Sequence, residues 1–208
     1  MLRFLRSGVV ALVCVAAGLS LQSCPSVTNM LVNLQRLQFK LNGIADFRLA
    51  GVSTAGKSAV TDFSVMDGLS LTRAFGSNKL PAEFILNVAA LNPNDGKGGS
   101  RQSSATLTAL DWRLMLDDQT TISGDIPNPV EIPGTGQEKI IPIRISLDLY
   151  EFFGKKGYES LVNLALALGG AKGSASRVKL DARPTVSTPF GAMAYPGRIT
   201  IIDKQFTN

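Results

Sequence analysis

Apolar and polar positions alternate over much of this chain, and the alternation begins at Leu37. From Leu37 to Leu49 the odd positions are Leu37, Phe39, Leu41, Gly43, Ala45, Phe47 and Leu49. The even ones are Gln38, Lys40, Asn42, Ile44, Asp46 and Arg48. A period of two with one polar side predicts a strand on an antiparallel sheet with one face in water. A second strand runs from Ala82 to Leu91, with Phe84, Leu86, Val88 and Ala90 on one side. It stops at Asn92-Pro93-Asn94, where proline cannot donate to a ladder and asparagine favours a turn. Asp95 to Ser104, rich in Gly and Ser, reads as a loop. Thr106, Thr108, Leu110, Trp112, Leu114 and Leu116 then alternate up to a turn at Asp117-Asp118, from which Gln119 to Ser123 folds back as a hairpin. Pro127, Pro129 and Pro133 cut the next segment into short pieces around Val130 and Ile132. Ile141, Ile143, Ile145, Leu147 and Leu149 alternate again, and Arg177 to Ala182 and Arg198 to Ile202 are two closing strands.

Two segments change to the helical period. Met66, Leu69 and Arg73 are spaced for a short helix over Ser64 to Phe75, with Ser64 and Asp67 placed as a capping box and a stop at Gly76. A longer helix covers Tyr150 to Leu168, its clearest face being Leu161, Leu164, Ala165 and Leu168, and ends at Gly169-Gly170. Many short half-exposed strands with one longer and one short helix predict a mainly β chain folded as an antiparallel β-sandwich. No internal repeat or second domain is visible, so residues 37–208 are expected to form a single domain.

The first residues belong to a different regime. Arg3 and Arg6 precede an uncharged run from Gly8 to Leu21, the pattern of a secretory signal peptide. Ser20, Gln22 and Ser23 close the run short of the roughly 20 apolar residues that a membrane span needs. Leu21-Gln22-Ser23-Cys24 resembles the bacterial lipobox, with an aliphatic residue three before the cut and a small residue just before the cysteine. That resemblance implies removal of residues 1–23, a thioether-linked diacylglycerol on Cys24 and an acylated amine, followed by a short tether up to residue 36. Each buried methylene contributes about 0.8 kcal/mol and stable anchoring takes two chains, so such a protein stays on the membrane. Pro25 and Ser26 follow the cysteine, and no acidic residue occurs between it and Asp46. Resemblance to known sorting rules then implies the periplasmic face of the outer membrane in a two-membrane bacterium.

Composition changes the picture in three ways. Removing the first 23 of 208 residues leaves 185, enough for one domain with a real core, and lowers the formal charge from +5 to +3 with the loss of Arg3 and Arg6. With Lys155-Lys156 as the sole adjacent basic pair, read as a solvated helix turn, there is no patch for a nucleic-acid partner. Of the 2 cysteines, Cys14 leaves with the signal and Cys24 is taken by lipid, so an exported domain without a disulfide must stand on its core. The absence of histidine removes His-dependent serine and cysteine hydrolases, imidazole zinc sites and the commonest general base near neutral pH. No cofactor or metal is expected.

One motif points elsewhere. Gly51, Gly56, Lys57 and Ser58 satisfy the phosphate-cradling G-x-x-x-x-G-K-[ST] pattern, and Leu114 to Asp117 looks like a strand-end aspartate for magnesium. A P-loop follows a strand buried on both faces, whereas the preceding strand here exposes Lys40, Asp46 and Arg48. The segment is therefore expected to be a solvated Gly/Ser turn, in which Lys57→Ala leaves thermal melting unchanged. Trp112 is read as packing and Asp117-Asp118 as a hairpin turn rather than a calcium pair. No two carboxylates have local spacing for acid/base work.

Taken together, the strand Phe84 to Leu91 running into Asn92-Pro93-Asn94, then Leu110-Asp111-Trp112-Arg113-Leu114 with Gly124 after the hairpin, and the alternating Ile141 to Leu149 strand resemble the late embryogenesis abundant (LEA) type 2 family. This is also called the water-stress and hypersensitive-response (WHy) domain, here in its bacterial lipoprotein branch. The resemblance covers most of the chain after Cys24. It implies an immunoglobulin- or fibronectin-like sandwich of unknown biochemical activity, in a family sometimes linked to desiccation stress. The expected function is a non-catalytic, membrane-anchored binding or scaffolding domain. The alternatives are a carrier or chaperone for an apolar or lipid ligand and, more remotely, a P-loop nucleotide hydrolase. Export and lipid attachment give the first test. Cys24→Ser is expected to abolish incorporation of labelled fatty acid and to accumulate unprocessed precursor; unchanged label in the variant would sink the lipoprotein reading.

Overall fold

The alternation that starts at Leu37 becomes β1 (Gln38–Leu49), and the computed structural model describes residues 37–97, 102–116, 118–168, 176–188 and 191–206. Cys24, the signal segment, the tether, Asp117 and Gly169-Gly170 lie outside them. In chain order β1 is followed by β2 (Val52–Ser53), α1 (Val65–Gly76), β3 (Pro81–Leu91), β4 (Ala105–Leu116), β5 (Gln119–Gly124), β6 (Val130–Ile132) and β7 (Glu138–Asp148). Then come α2 (Leu149–Phe153), α3 (Tyr158–Leu168), β8 (Ser176–Thr188), β9 (Gly191–Ala194) and β10 (Ile199–Phe206). One sheet has the order β2-β1-β3-β7; the other has β10-β8-β4-β5, with β6 on β4 and β9 on β8. All described pairings are antiparallel. The chain is mainly β, in two antiparallel sheets, as the alternation predicts.

The apolar sides of both sheets meet in one core. Phe47, Leu49, Phe84, Leu86, Val88, Ile143 and Ile145 come from the four-stranded sheet, and Leu107, Leu110, Trp112, Leu114, Leu180 and Ile202 from the other. Phe47 and Phe84 stack with ring centroids 5.0 Å apart. Trp112 lies against Gly124, where a Cβ would stand 2.5 Å from the indole. The indole is buried, as expected of a packing residue, and its Nε1–H has no hydrogen-bond partner among the described residues.

The register differs from a plain period of two at two places. In β1 the pairing with β3 shifts between Leu41 and Gly43 and again between Ala45 and Arg48. Between these bulges Ile44 pairs with buried Leu86 and packs against the core, while Gly43 and Ala45 face Asn87 and Ile85. The second bulge restores the phase, so that Phe47 and Leu49 are again inside. In β4 a shift between Leu107 and Ala109 makes Leu107 and Leu110 the buried residues, leaving Thr106 and Thr108 half-exposed. Prolines explain two boundaries. Pro142 is tolerated because β7 is an edge strand. Pro184 sits where β8 passes from its pairing with β10, at Ala182, to its pairing with β9, at Thr185, so β8 continues past the expected end at Ala182.

Among the described residues three α-helices replace the expected two. Ser64 and Asp67 form the predicted capping box of α1, the Ser64 hydroxyl accepting from Asp67 N–H at 3.1 Å and Asp67 Oδ2 from Ser64 N–H at 3.1 Å. The buried face of α1 is not the one read from Met66 and Leu69, which are 72% and 58% exposed. Leu71 is its buried residue, and Phe75 sets its ring edge-on to Tyr150 and Tyr158 at 5.2 and 5.5 Å. A spacing of three and four identifies a helix but not the side on which its neighbours lie. The expected Tyr150 to Leu168 helix is two, because Gly157 takes a φ of +83° after the 3-10 turn Gly154–Lys156. Asp148 starts the first, its Oδ1 accepting from Tyr150 N–H at 2.9 Å and from Leu80 N–H at 2.7 Å.

Asn92-Pro93-Asn94 ties the passage from one sheet to the other. Asn92 is fully buried; its amide donates to the Ser103 carbonyl at 2.8 Å, and its oxygen accepts from Asn94 N–H at 3.1 Å and Asn94 Nδ2 at 2.9 Å. Gly134 lies so close that a Cβ would collide with the carbonyl oxygens of Ser103 and Asn94. Truncating Asn92 strands several buried polar groups at once, each costing about 1–3 kcal/mol. Asn92→Ala is therefore expected to lower the unfolding free energy by about 2–4 kcal/mol in urea denaturation. A change below about 0.5 kcal/mol, the size of a surface substitution, would show that the turn is not held by this side chain.

Candidate functional site

The second bulge of β1 also shapes the outer face of the four-stranded sheet. Asp46 takes a φ of +54° there, an uncommon left-handed conformation for a residue with a side chain. Beyond it Arg48 returns to the outer row. Across the sheet Arg48 lies opposite Glu83 and Glu83 opposite Ser146; in the next row Ala45 lies opposite Ile85 and Ile85 opposite Arg144. Small Ala45 and half-buried Ile85 leave the centre of this face low between longer side chains. The result is an open groove of about 450 Å³ lined by Asp46, Arg48, Glu83, Ile85, Arg144 and Ser146, with Phe84 and Ile145 beneath. A smaller depression of about 180 Å³ adjoins it over Asp46, Arg48 and the Ser53–Ala55 segment.

Two guanidinium groups and two carboxylates thus share one groove. Among the described residues none of Asp46, Arg48, Glu83 and Arg144 makes an ion pair or a side-chain hydrogen bond. At the other end of the same face Lys40 reaches across β3 to pair with Glu138. The outer face of the six-stranded sheet is in still greater contrast. Asp181, buried, accepts from Arg113 Nε at 3.0 Å and Nη2 at 2.9 Å and from Arg198 Nε at 2.5 Å; Arg198 also holds Asp111 at 2.7 Å. Burial alone would raise the Asp181 pKa, but the hydrogen bonds and charges of Arg113 and Arg198 outweigh it and hold the carboxyl below its ordinary value. Asp111, Arg113, Asp181 and Arg198 are committed to the fold, whereas those of the groove are free to meet something else.

The nucleotide-binding pattern has a different geometry from its name. Ala50 and Gly51, with φ of +47° and +80°, are the two turn residues between Leu49 and Val52 of a tight hairpin. The amides of Ser58 and Ala59, which a phosphate would need, both donate to Asp62 Oδ2, at 2.7 and 2.9 Å, and hold that carboxyl below its ordinary pKa. Lys57 Nζ donates to Asp62 O at 3.1 Å and to Asp67 Oδ2 at 3.4 Å, and lies 4.9 Å over the Phe63 ring. It is thus no solvated turn residue. It braces the start of α1, so Lys57→Ala removes contacts of the folded state instead of leaving melting unchanged. Asp118, with φ of +61°, turns the β4–β5 hairpin as expected. Lys155 and Lys156 occupy the exposed 3-10 turn, Lys156 over the Phe153 ring at 5.1 Å. Among the described residues there is no group of three Asp, Glu or Cys side chains placed to hold a metal, and no helix long and apolar enough to cross a membrane.

No family model matches this chain, and no curated protein matches it. Among solved structures, it is similar to a protein from Archaeoglobus fulgidus, at a TM-score of 0.38 and 8% identity over 62% of this chain and 86% of that one. It is also similar to the solution structure of a protein described as late embryogenesis abundant, at a TM-score of 0.42 and 14% identity over 97% of this chain and 88% of that one. Likeness at this level assigns neither family nor activity.

Arg48, Glu83 and Arg144 were on the polar sides of strands legible in the sequence, but their convergence required the strand order and the β1 bulges. Asp181 supplies the measurable electrostatic prediction. A carboxyl held below its ordinary value of 3.8 contributes stability that is complete above that value and is lost as pH falls through the folded-state value. Asp181→Asn leaves two guanidinium groups facing an uncharged amide and is expected to cost about 2–4 kcal/mol at about pH 7. The deficit should shrink toward about pH 3, where the unsubstituted protein loses the same contribution. Urea denaturation at both values measures it, and a deficit of equal size at each would rule out the charge as its origin.

Proposed function

We propose that this chain is an envelope lipoprotein, anchored through lipid on Cys24, whose LEA type 2-like sandwich binds or scaffolds without catalysis through the outer face of its four-stranded sheet. The observation that carries the binding face is the groove in which Asp46, Arg48, Glu83 and Arg144 stand unpaired among the described residues. Exposed, uncommitted charges of both signs around a low apolar floor offer recognition, since partners are selected by complementary charge and by desolvation of what they cover. The signal segment, the lipobox and the lack of histidine support the anchored and non-catalytic parts of the reading. Large side chains of both sheets fill the space between them, which supports a binding face on the surface over a carrier with an apolar ligand inside.

In a two-membrane bacterium the full chain is expected in the outer-membrane fraction, resistant to protease added to intact cells and digested once the outer membrane is permeabilised. Digestion in intact cells would overturn the periplasmic placement. Material recovered with the lipidated protein, identified by mass spectrometry, should be lost from an Arg48→Gln/Arg144→Gln variant of unchanged melting temperature. An identical profile in that variant would overturn the assignment of the binding face.

A further inference from the structure

We infer that the groove takes a small zwitterion, a molecule carrying both an ammonium group and an oxyanion, carboxylate or phosphate. The inference rests on the groove being the binding face and adds the chemistry of what it holds.

The sheet lattice sets the argument. Arg48 on β1 is directly opposite Glu83 on β3, and Arg144 on β7 lies opposite Ile85, one outward position along from Glu83. Adjacent strands lie about 4.8 Å apart, so Arg48 and Glu83 rise from backbone at about that spacing, and Arg144 stands diagonal to Glu83 at about 7–8 Å on the next strand, placing a negative group between two positive ones. Pairing of opposite charges on an exposed sheet face gains at most about 1 kcal/mol, and Arg48, Glu83 and Arg144 each remain without an ion pair among the described residues. A simple anion would gain the guanidinium groups but meet Glu83 and Asp46. A simple cation would gain the carboxylates but meet Arg48 and Arg144. Only a ligand with both signs satisfies the set, its oxyanion taken by a guanidinium fork and its ammonium by Glu83. A volume of about 450 Å³ suits a molecule of metabolite size or the headgroup of a lipid.

O-Phosphoethanolamine carries both groups and is the probe. Calorimetric titration of the full chain in detergent is expected to give saturable binding with a Kd of about 1 mM or tighter. Ethanolamine alone and inorganic phosphate alone should bind at least about tenfold more weakly. Arg48→Gln/Arg144→Gln should abolish binding. Glu83→Gln should weaken O-phosphoethanolamine by about tenfold while improving inorganic phosphate, an inversion that a merely structural role of Glu83 would not produce. These side chains are exposed, and circular dichroism melting checks that the variants fold. Reconstitution into phosphatidylethanolamine nanodiscs separates the two sources of the chemistry. Loss of the response to free probe there, but not in phosphatidylglycerol nanodiscs, identifies a lipid headgroup, and a retained response in both identifies a free solute. No saturable heat up to about 10 mM probe, unchanged binding by the double-arginine variant, or inorganic phosphate binding as tightly as the probe would each overturn the inference. The recovery experiment on the same double variant judges the binding face separately, so a silent probe with a changed profile would overturn the zwitterion alone.

Discussion

The core between the two sheets has to be apolar without interruption, and β1 can satisfy that demand only by departing from regular pleating. If its pleating ran unbroken from Leu37, Gly43 and Ala45 would face the core and Ile44 would face water. The two bulges exchange these positions, sending Ile44 inward against Leu86 and returning Phe47 to its stack with Phe84. A slip of one residue moves every later side chain to the other face, so a single bulge would have put Phe47 and Leu49 in solvent. The second bulge is therefore required by the first. Its by-products are the left-handed Asp46 and the low floor over Ala45 and Ile85, and the groove is in this sense a consequence of how the core is filled.

Charge is used in two opposite ways on the two outer faces. Around Asp181, two guanidinium groups enclose one buried carboxylate and link β4, β8 and the start of β10; removing either arginine would leave that buried carboxylate with one charge partner in place of two. Over the four-stranded sheet the same residue types stand apart in water. Exposed pairs contribute little to stability, about 0–1 kcal/mol, so the fold gains almost nothing by closing Arg48 onto Glu83 and loses almost nothing by leaving them open. That near-indifference lets a surface keep charges available for recognition while Asp181, Arg113 and Arg198 hold the opposite sheet.

Strand existence was legible wherever alternation was long, as in Ala82 to Leu91 and Ile141 to Leu147, and so was the Ser64–Asp67 capping box. Places where a local period met a tertiary demand were not. Thr106 and Thr108 continue the alternation of β4 in the sequence, but the bulge before Ala109 puts Leu107 in the core. Met66 and Leu69 mark a helix, but the contacts that hold α1 come from Leu71 and Phe75, on a side that only the positions of Tyr150 and Tyr158 define. Gly157 could be seen as a helix breaker only once its backbone was known to be left-handed. The groove was hidden for a further reason: Arg48, Glu83 and Arg144 are 35 and 61 residues apart in turn, so their meeting depends on the order β1-β3-β7, which no local pattern encodes.

The G-x-x-x-x-G-K-S segment and the groove both offer donors to an anion, and the difference between them lies in what those donors already do. A phosphate loop works because its amides and lysine have no acceptor until the ligand arrives. Here the amides of Ser58 and Ala59 are taken by Asp62, and Lys57 by Asp62, Asp67 and the Phe63 ring, so a phosphate would have to displace carboxylates already positioned by the chain. Among the described residues Arg48 and Arg144 carry no such commitment, and a ligand entering between them displaces no carboxylate already bound to either. A motif match records residue types at a spacing. Whether the donors are unoccupied is a property of the fold, and by that criterion the sheet face that no motif marked, and not the motif, supports the proposed recognition.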